Sequence, residues 1–238
     1  MRSGNPALFF GTSSGQAALD QDEFGGNPFA TSLIELSSKP AMSLKSLPQK
    51  LRSLTAHRTQ NRQIPECAVQ PPKMSWEWSL RPGSRQERRT ALVLIVSSYS
   101  QTARPRLEGA AVDERRIASM LASHGFSVMQ GTGPNREALL SALNTFARAS
   151  KGHDVALIYS TGHGVEADRQ VFLLPGDYRF NEGFSRVALA QHSVPVSRIV
   201  AAARGQKLNL VFFAGCRTLV GSANGRTYPA NLNPVKER

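Results

Sequence analysis

Two short segments pair a reactive side chain with glycine: Ser160-Thr161-Gly162-His163-Gly164 and Phe213-Ala214-Gly215-Cys216-Arg217. A histidine between two glycines is expected to be exposed on a flexible turn, where its ring can approach another group while its neighbours offer open backbone N–H groups. A cysteine just past an apolar run sits at a strand rim, and its thiolate can attack a carbonyl carbon once a base has taken the proton. Alone, each feature is usually structural: the cysteine a small buried hydrophobe, Gly-His-Gly a turn. On the ends of two strands of one sheet they become a candidate nucleophile and base. Cys67 lies in irregular sequence with no such setting, and His57, His124, His153 and His192 read as helix-face, cap-adjacent or loop residues.

The elements that must position this pair alternate regularly after Thr90. Ala91–Ser97 (ALVLIVS), Asp154–Ser160 (DVALIYS) and Leu208–Ala214 (LNLVFFA) are short unbroken apolar runs, the pattern of strands covered on both faces; Phe126–Met129 and Val171–Leu174 are shorter ones. Between them, residues 112–124 and the stretch after Asn135 carry apolar residues at helical spacing, and residues 195–203 read as helical too. This order predicts an α/β fold, a mainly parallel sheet flanked by helices on both faces, with functional residues just beyond the carboxyl ends of its strands. Before Thr90, Asn27-Pro28 opens a helical run that Pro40 stops, and Leu44, Leu47, Leu51 and Leu54 form a second helical stripe. Residues 65–90 read as a basic linker. No Gly-rich phosphate loop and no C-x-x-C pair is present.

The 238 residues, 40% of them hydrophobic, suffice for one medium domain or two small ones. Of the formal +12, +7 falls in residues 41–90, so the excess reads as a property of that junction and a nucleic-acid partner as unlikely; Trp76 and Trp78 are its only aromatics. Two widely separated cysteines are neither a disulfide framework nor a metal-ligand spacing, which suggests a reducing, cytoplasmic setting. No apolar run approaches the about 18 residues of a membrane span, and the N-terminal run Ala7–Phe10 is too short for a signal peptide. Low order is expected over Gly221–Arg238.

Five motifs follow one another in order: Ala91-Leu-Val-Leu-Ile-Val-Ser-Ser-Tyr99, Leu107-Glu-Gly-Ala-Ala-Val-Asp113, Tyr159-Ser-Thr-Gly-His-Gly164, Phe172-Leu-Leu-Pro-Gly-Asp177 and Val211-Phe-Phe-Ala-Gly-Cys-Arg217. Together they resemble the large-subunit portion of caspase-like cysteine peptidases, nearest the bacterial metacaspase-like branch. Residues 7–64 resemble the small-subunit portion, which in that family follows the nucleophile: Ala7-Leu-Phe-Phe-Gly-Thr-Ser-Ser-Gly-Gln16, Asp20-Gln-Asp-Glu-Phe-Gly-Gly26, Asn27-Pro-Phe-Ala30, then the Leu44–Leu54 stripe. The resemblance therefore implies a three-layer caspase-like fold in circularly permuted order. Residues 1–64 would be the small-subunit-like part, 65–90 the linker, 91–217 the catalytic part and 218–238 a flexible tail. A chain spanning the end of one such domain and the start of the next is the alternative.

The same resemblance implies a cysteine-type endopeptidase acting on protein or peptide substrates. Cys216 would be the nucleophile, His163 the base, and the backbone N–H groups of Gly164 and Cys216 the oxyanion site. Asp113, Thr161 and Ala214 would line the substrate pocket. Ala214 departs from the aspartate many metacaspases carry there, which weakens the expected selection for a basic side chain. The chemistry needs no cofactor; calcium stimulates some metacaspases, and Asp20, Asp22 and Glu23 are the candidate oxygen ligands. The alternative function is a catalytically degenerate caspase-like module with an interaction or regulatory role. The oligomeric state is left open by the sequence.

Overall fold

The computed structural model describes residues 6–40, 42–81, 87–100 and 106–220; of the tail read as flexible, residues 221–238 lie outside them, whereas Thr218–Leu219 form a strand.

The amino-terminal part begins with β1 (Ala7–Phe10) and α1 (Pro28–Ser38), whose first amides are capped by Asn27, its side chain accepting from Phe29 N at 2.8 Å. α2 (Leu47–Arg58) follows with Pro48 in its first turn, where a missing N–H does no harm. Next comes β2 (Glu66–Val69), a strand inside the stretch read as linker. The alternating strand–helix part comprises β3 (Arg89–Ile95), α3 (Glu108–Ser123), β4 (Phe126–Thr132), α4 (Arg136–Ser150) and β5 (Val155–Thr161). After it come β6 (Gly164–Ala167), β7 (Gln170–Leu173), α5 (Arg186–His192), β8 (Val194–Pro195), α6 (Val196–Val200), β9 (Leu208–Phe213) and β10 (Thr218–Leu219).

The main sheet has six strands in the order β2-β1-β9-β5-β3-β4. Five run parallel and β2 closes one edge antiparallel to β1. Every residue of β3, β5 and β9 is buried, which is why these strands read as continuous apolar runs. The crossovers through α3 and α4 step along the sheet in opposite directions, so right-handed connections place these helices on opposite faces; α1 packs with α3. A second sheet, β10-β6-β7-β8, lies beyond the carboxyl end of β5.

The amino-terminal part joins the rest through the β1–β9 ladder, in register from Ala7 with Leu210 to Phe10 with Phe213. Phe9 stacks on Phe212 at 4.7 Å between ring centroids, and Phe10 meets Phe213 edge-on at 5.9 Å. Such aromatic pairs add about 0.5 to 1.5 kcal/mol each beyond the area they bury.

Much of the basic excess of residues 41–90 is used inside the molecule. Arg58 pairs with Glu35 and Glu23, Arg52 donates to the Pro65 carbonyl, and Arg89 pairs with Glu87 and stacks on Trp78. No helix among the described residues is long and apolar enough to cross a membrane.

Candidate active site

The His163 turn joins β5 to β6. The sequence predicts an exposed ring here, but His163 is buried, with 3% of its surface accessible. The reason is two aromatic side chains from distant segments: Tyr99 lies 4.5 Å from the imidazole, ring to ring, and Phe180 stands edge-on at 5.9 Å. The backbone is held on both sides as well. His163 N–H donates to Tyr99 Oη at 2.6 Å, and the His163 carbonyl accepts from Leu174 N at 2.9 Å.

The Cys216 turn follows β9, and the amino-terminal part runs alongside its whole length. Gly11 N donates to Phe213 O at 2.7 Å, Arg217 N donates to Gln16 O at 3.0 Å, and Gly15 N donates to Arg217 O at 2.9 Å. At the centre Ala18 addresses the thiol itself: its N–H donates to Cys216 Sγ at 3.3 Å, and the thiol lies 3.7 Å from the Ala18 carbonyl. Arg217 clamps both parts of the chain, its guanidinium bonded to Glu66 of β2 and to Glu166 of β6 while lying 4.2 Å above the Phe10 ring.

The two turns pack directly on one another. A Cβ on Gly215 would lie 2.7 Å from the Gly162 carbonyl oxygen, and one on Gly164 would overlap the Cys216 carbonyl oxygen. Glycine is thus required by close backbone approach, and the approach sets His163 and Cys216 on adjoining turns at the carboxyl ends of neighbouring parallel strands. Burial pushes the Cys216 thiol up; the Ala18 N–H opposes this, the Asp20 carboxylate adds to it, and the amide of Cys216 itself opposes it.

The remaining residues singled out in the sequence have different settings. Thr161 and Ala214 are buried at the ends of β5 and β9, beside the two turns. Asp113 has no accessible surface: its Oδ2 accepts from Asn27 N at 3.2 Å and from the Tyr159 hydroxyl at 3.0 Å, and Arg116 stands 3.6 Å from Oδ1. Burial pushes its pKa up to about 8. Asp113 is therefore enclosed between α3, β5 and the start of α1, and does not share an open surface with Cys216 in this arrangement.

The three acidic residues read as candidate calcium ligands face separate partners. Asp20 faces the amides of Gly109 and Ala110, Asp22 accepts from Phe24 N, and Glu23 pairs with Arg58, so the three carboxylates do not converge. Among the described residues no group of three or more His, Cys, Asp or Glu could hold a metal ion. Residues that sequence reasoning missed at this site are Tyr99, Ala18, Asp20 as a tether, and the buried amides Asn27 and Gln63; only Asn27 carried a local signal, as a helix cap.

A mainly parallel sheet, helices on both faces, and histidine and cysteine turns packed at neighbouring strand ends define an α/β architecture built around a thiol and an imidazole. A family model described as the caspase domain matches residues 88–229, more than half of the chain, and the chain belongs to that family. No curated protein matches it.

Proposed function

We propose that the protein is a caspase-like cysteine endopeptidase in which Cys216 is the nucleophile and His163 the base. The observation that carries this reading is the backbone contact between the Gly162–Gly164 and Gly215–Cys216 turns. In the reaction, His163 takes the thiol proton and Sγ attacks the peptide carbonyl carbon. The amides of Gly164 and Cys216 stabilise the oxyanion, and His163 then protonates the leaving amine. Water hydrolyses the thioester and restores the thiol. In this reading Thr161 and Ala214, buried beside the two turns, would line the pocket for the substrate residue before the scissile bond; Asp113 would contribute there only if the start of α1 withdraws.

The same reading takes the small-subunit-like residues 1–64 and the catalytic residues 91–217, joined through 65–90, as one domain in circularly permuted order. The β1–β9 ladder supports it, as does a family match that leaves the amino-terminal part uncovered. The two free cysteines fit a reducing, cytoplasmic setting.

A second reading, a catalytically degenerate module with an interaction role, draws on the raised thiol pKa and on the doubly engaged Ala18. Cleavage of a mixed peptide library by the wild type, Cys216→Ala and His163→Ala separates the two. The peptidase expects cleavage that falls at least about 10³-fold in each variant. A wild type that cleaves no faster than Cys216→Ala supports the module.

A further inference from the structure

We propose that Asp20 is a positioning residue for the nucleophile: its carboxylate ties residues 17–20 to the first turn of α3 and so fixes the Ala18 amide as a hydrogen-bond donor to Cys216 Sγ. This rests on the reading of Cys216 as the nucleophile. α3 has no cap from its own chain neighbours. Instead Asp20 reaches it from 89 residues away, accepting from Gly109 N at 3.0 Å through one oxygen and from Ala110 N at 3.3 Å through the other. Gly109 permits this, because a Cβ there would overlap the Asp20 backbone carbonyl.

The neighbouring residue is pinned from the other side. Leu19 N donates to Gln63 Oε1 at 2.9 Å, and Leu19 O accepts from Asn27 Nδ2 at 2.6 Å. Gln63 in turn donates to Gly11 O at 2.8 Å, at the end of the strand that pairs with β9. With Leu19 and Asp20 both fixed, the peptide group one residue earlier has little freedom. Its N–H points at Sγ at 3.3 Å.

A donor held there stabilises a thiolate more than a thiol, so the tether lowers the thiol pKa, whereas the negative charge of Asp20 raises it. The two effects have opposite signs and can be separated. Tyr99, from the segment after β3, is a further titratable group coupled to the thiol, and Arg217 is turned to Glu166 and Glu66. All are unchanged in the variants below.

The test is the pH profile of iodoacetamide alkylation of Cys216, in full-length protein carrying Cys67→Ser so that one thiol reports. Asp20→Asn removes the charge and keeps an oxygen acceptor for α3; Asp20→Ala removes both. The Asn variant is expected to titrate below the parent, and the Ala variant about one pH unit above the Asn variant. Gln63→Leu releases Leu19 while leaving the Asp20 charge, and is expected to raise the midpoint above the parent by a similar amount; it decides the matter should Asp20→Ala not fold. Coincident Asn and Ala profiles, or an unmoved midpoint in Gln63→Leu, would overturn the proposal, since a helix cap of structural value alone leaves the thiol profile in place. If Cys216→Ala still cleaves peptides, the peptidase reading fails while these profiles still report on the tether.

Discussion

Gly164 approaches the carbonyl oxygen of Cys216 so closely that a Cβ at position 164 would overlap it. The glycine after the histidine is therefore a spacer between two backbones. Gly164→Ala is expected to destabilise the fold by about 1 to 3 kcal/mol, the usual cost of overpacking, and to slow peptide cleavage more than tenfold by moving the Cys216 turn. Thermal unfolding and cleavage rate, measured together, check this; an unchanged pair would mean that the turns have slack.

Tyr99 holds His163 through its hydroxyl, and Tyr99→Phe leaves the buried His163 N–H without that acceptor. The expected cost is about 1 to 3 kcal/mol of stability. Peptide cleavage should fall about tenfold, because the imidazole loses its fixed backbone while its aromatic contacts persist. Loss of stability without loss of rate would assign Tyr99 to packing alone.

Asp113 makes stability depend on pH. Its pKa is raised by burial from 3.8 to about 8, so the folded chain binds more protons than the unfolded chain between those values, and stability falls as pH rises through that window. Asp113→Asn removes this dependence. The variant is expected to gain about 1 to 3 kcal/mol relative to wild type between pH 5 and pH 9. An equal difference in melting temperature at the two pH values would show that Asp113 ionises normally in the fold.

The parts of the fold that were legible in the sequence are those with a dense local signal. Leu208–Phe213 and Val155–Thr161 are buried on both faces, so they could only be apolar, and Asn27-Pro28 and Asn135 mark helix starts through their own side chains. Glu66–Val69 was illegible because it is a four-residue edge strand, half of it exposed, inside proline- and arginine-rich sequence. Gly164–Ala167 was missed because its buried Glu166 is polar, and Arg217, 51 residues later, compensates it. The burial of His163 depends on Tyr99 and Phe180, and the tether on Asp20 meeting Gly109, contacts no local pattern encodes.

On the permuted reading, the connection between residues 81 and 88 is expected to be dispensable. With a specific protease site replacing residues 82–86, the cut chain is expected to elute as one species and to unfold in one transition, since β1 and β9 still share their ladder and phenylalanine pairs. Separate elution of the two pieces would show that the covalent connection is needed to hold the sheet together.

The β1–β9 pairing also sets a schedule for synthesis. Ala7 pairs with Leu210, so β1 leaves the ribosome roughly 200 residues, on the order of 10 to 40 s, before its parallel partner exists. During that interval Phe9 and Phe10 lack the Phe212 and Phe213 rings they pack against in the folded chain. The newborn chain thus carries an unfilled strand position until the cysteine-bearing strand arrives, and the thiol meets Ala18 only when that last gap closes.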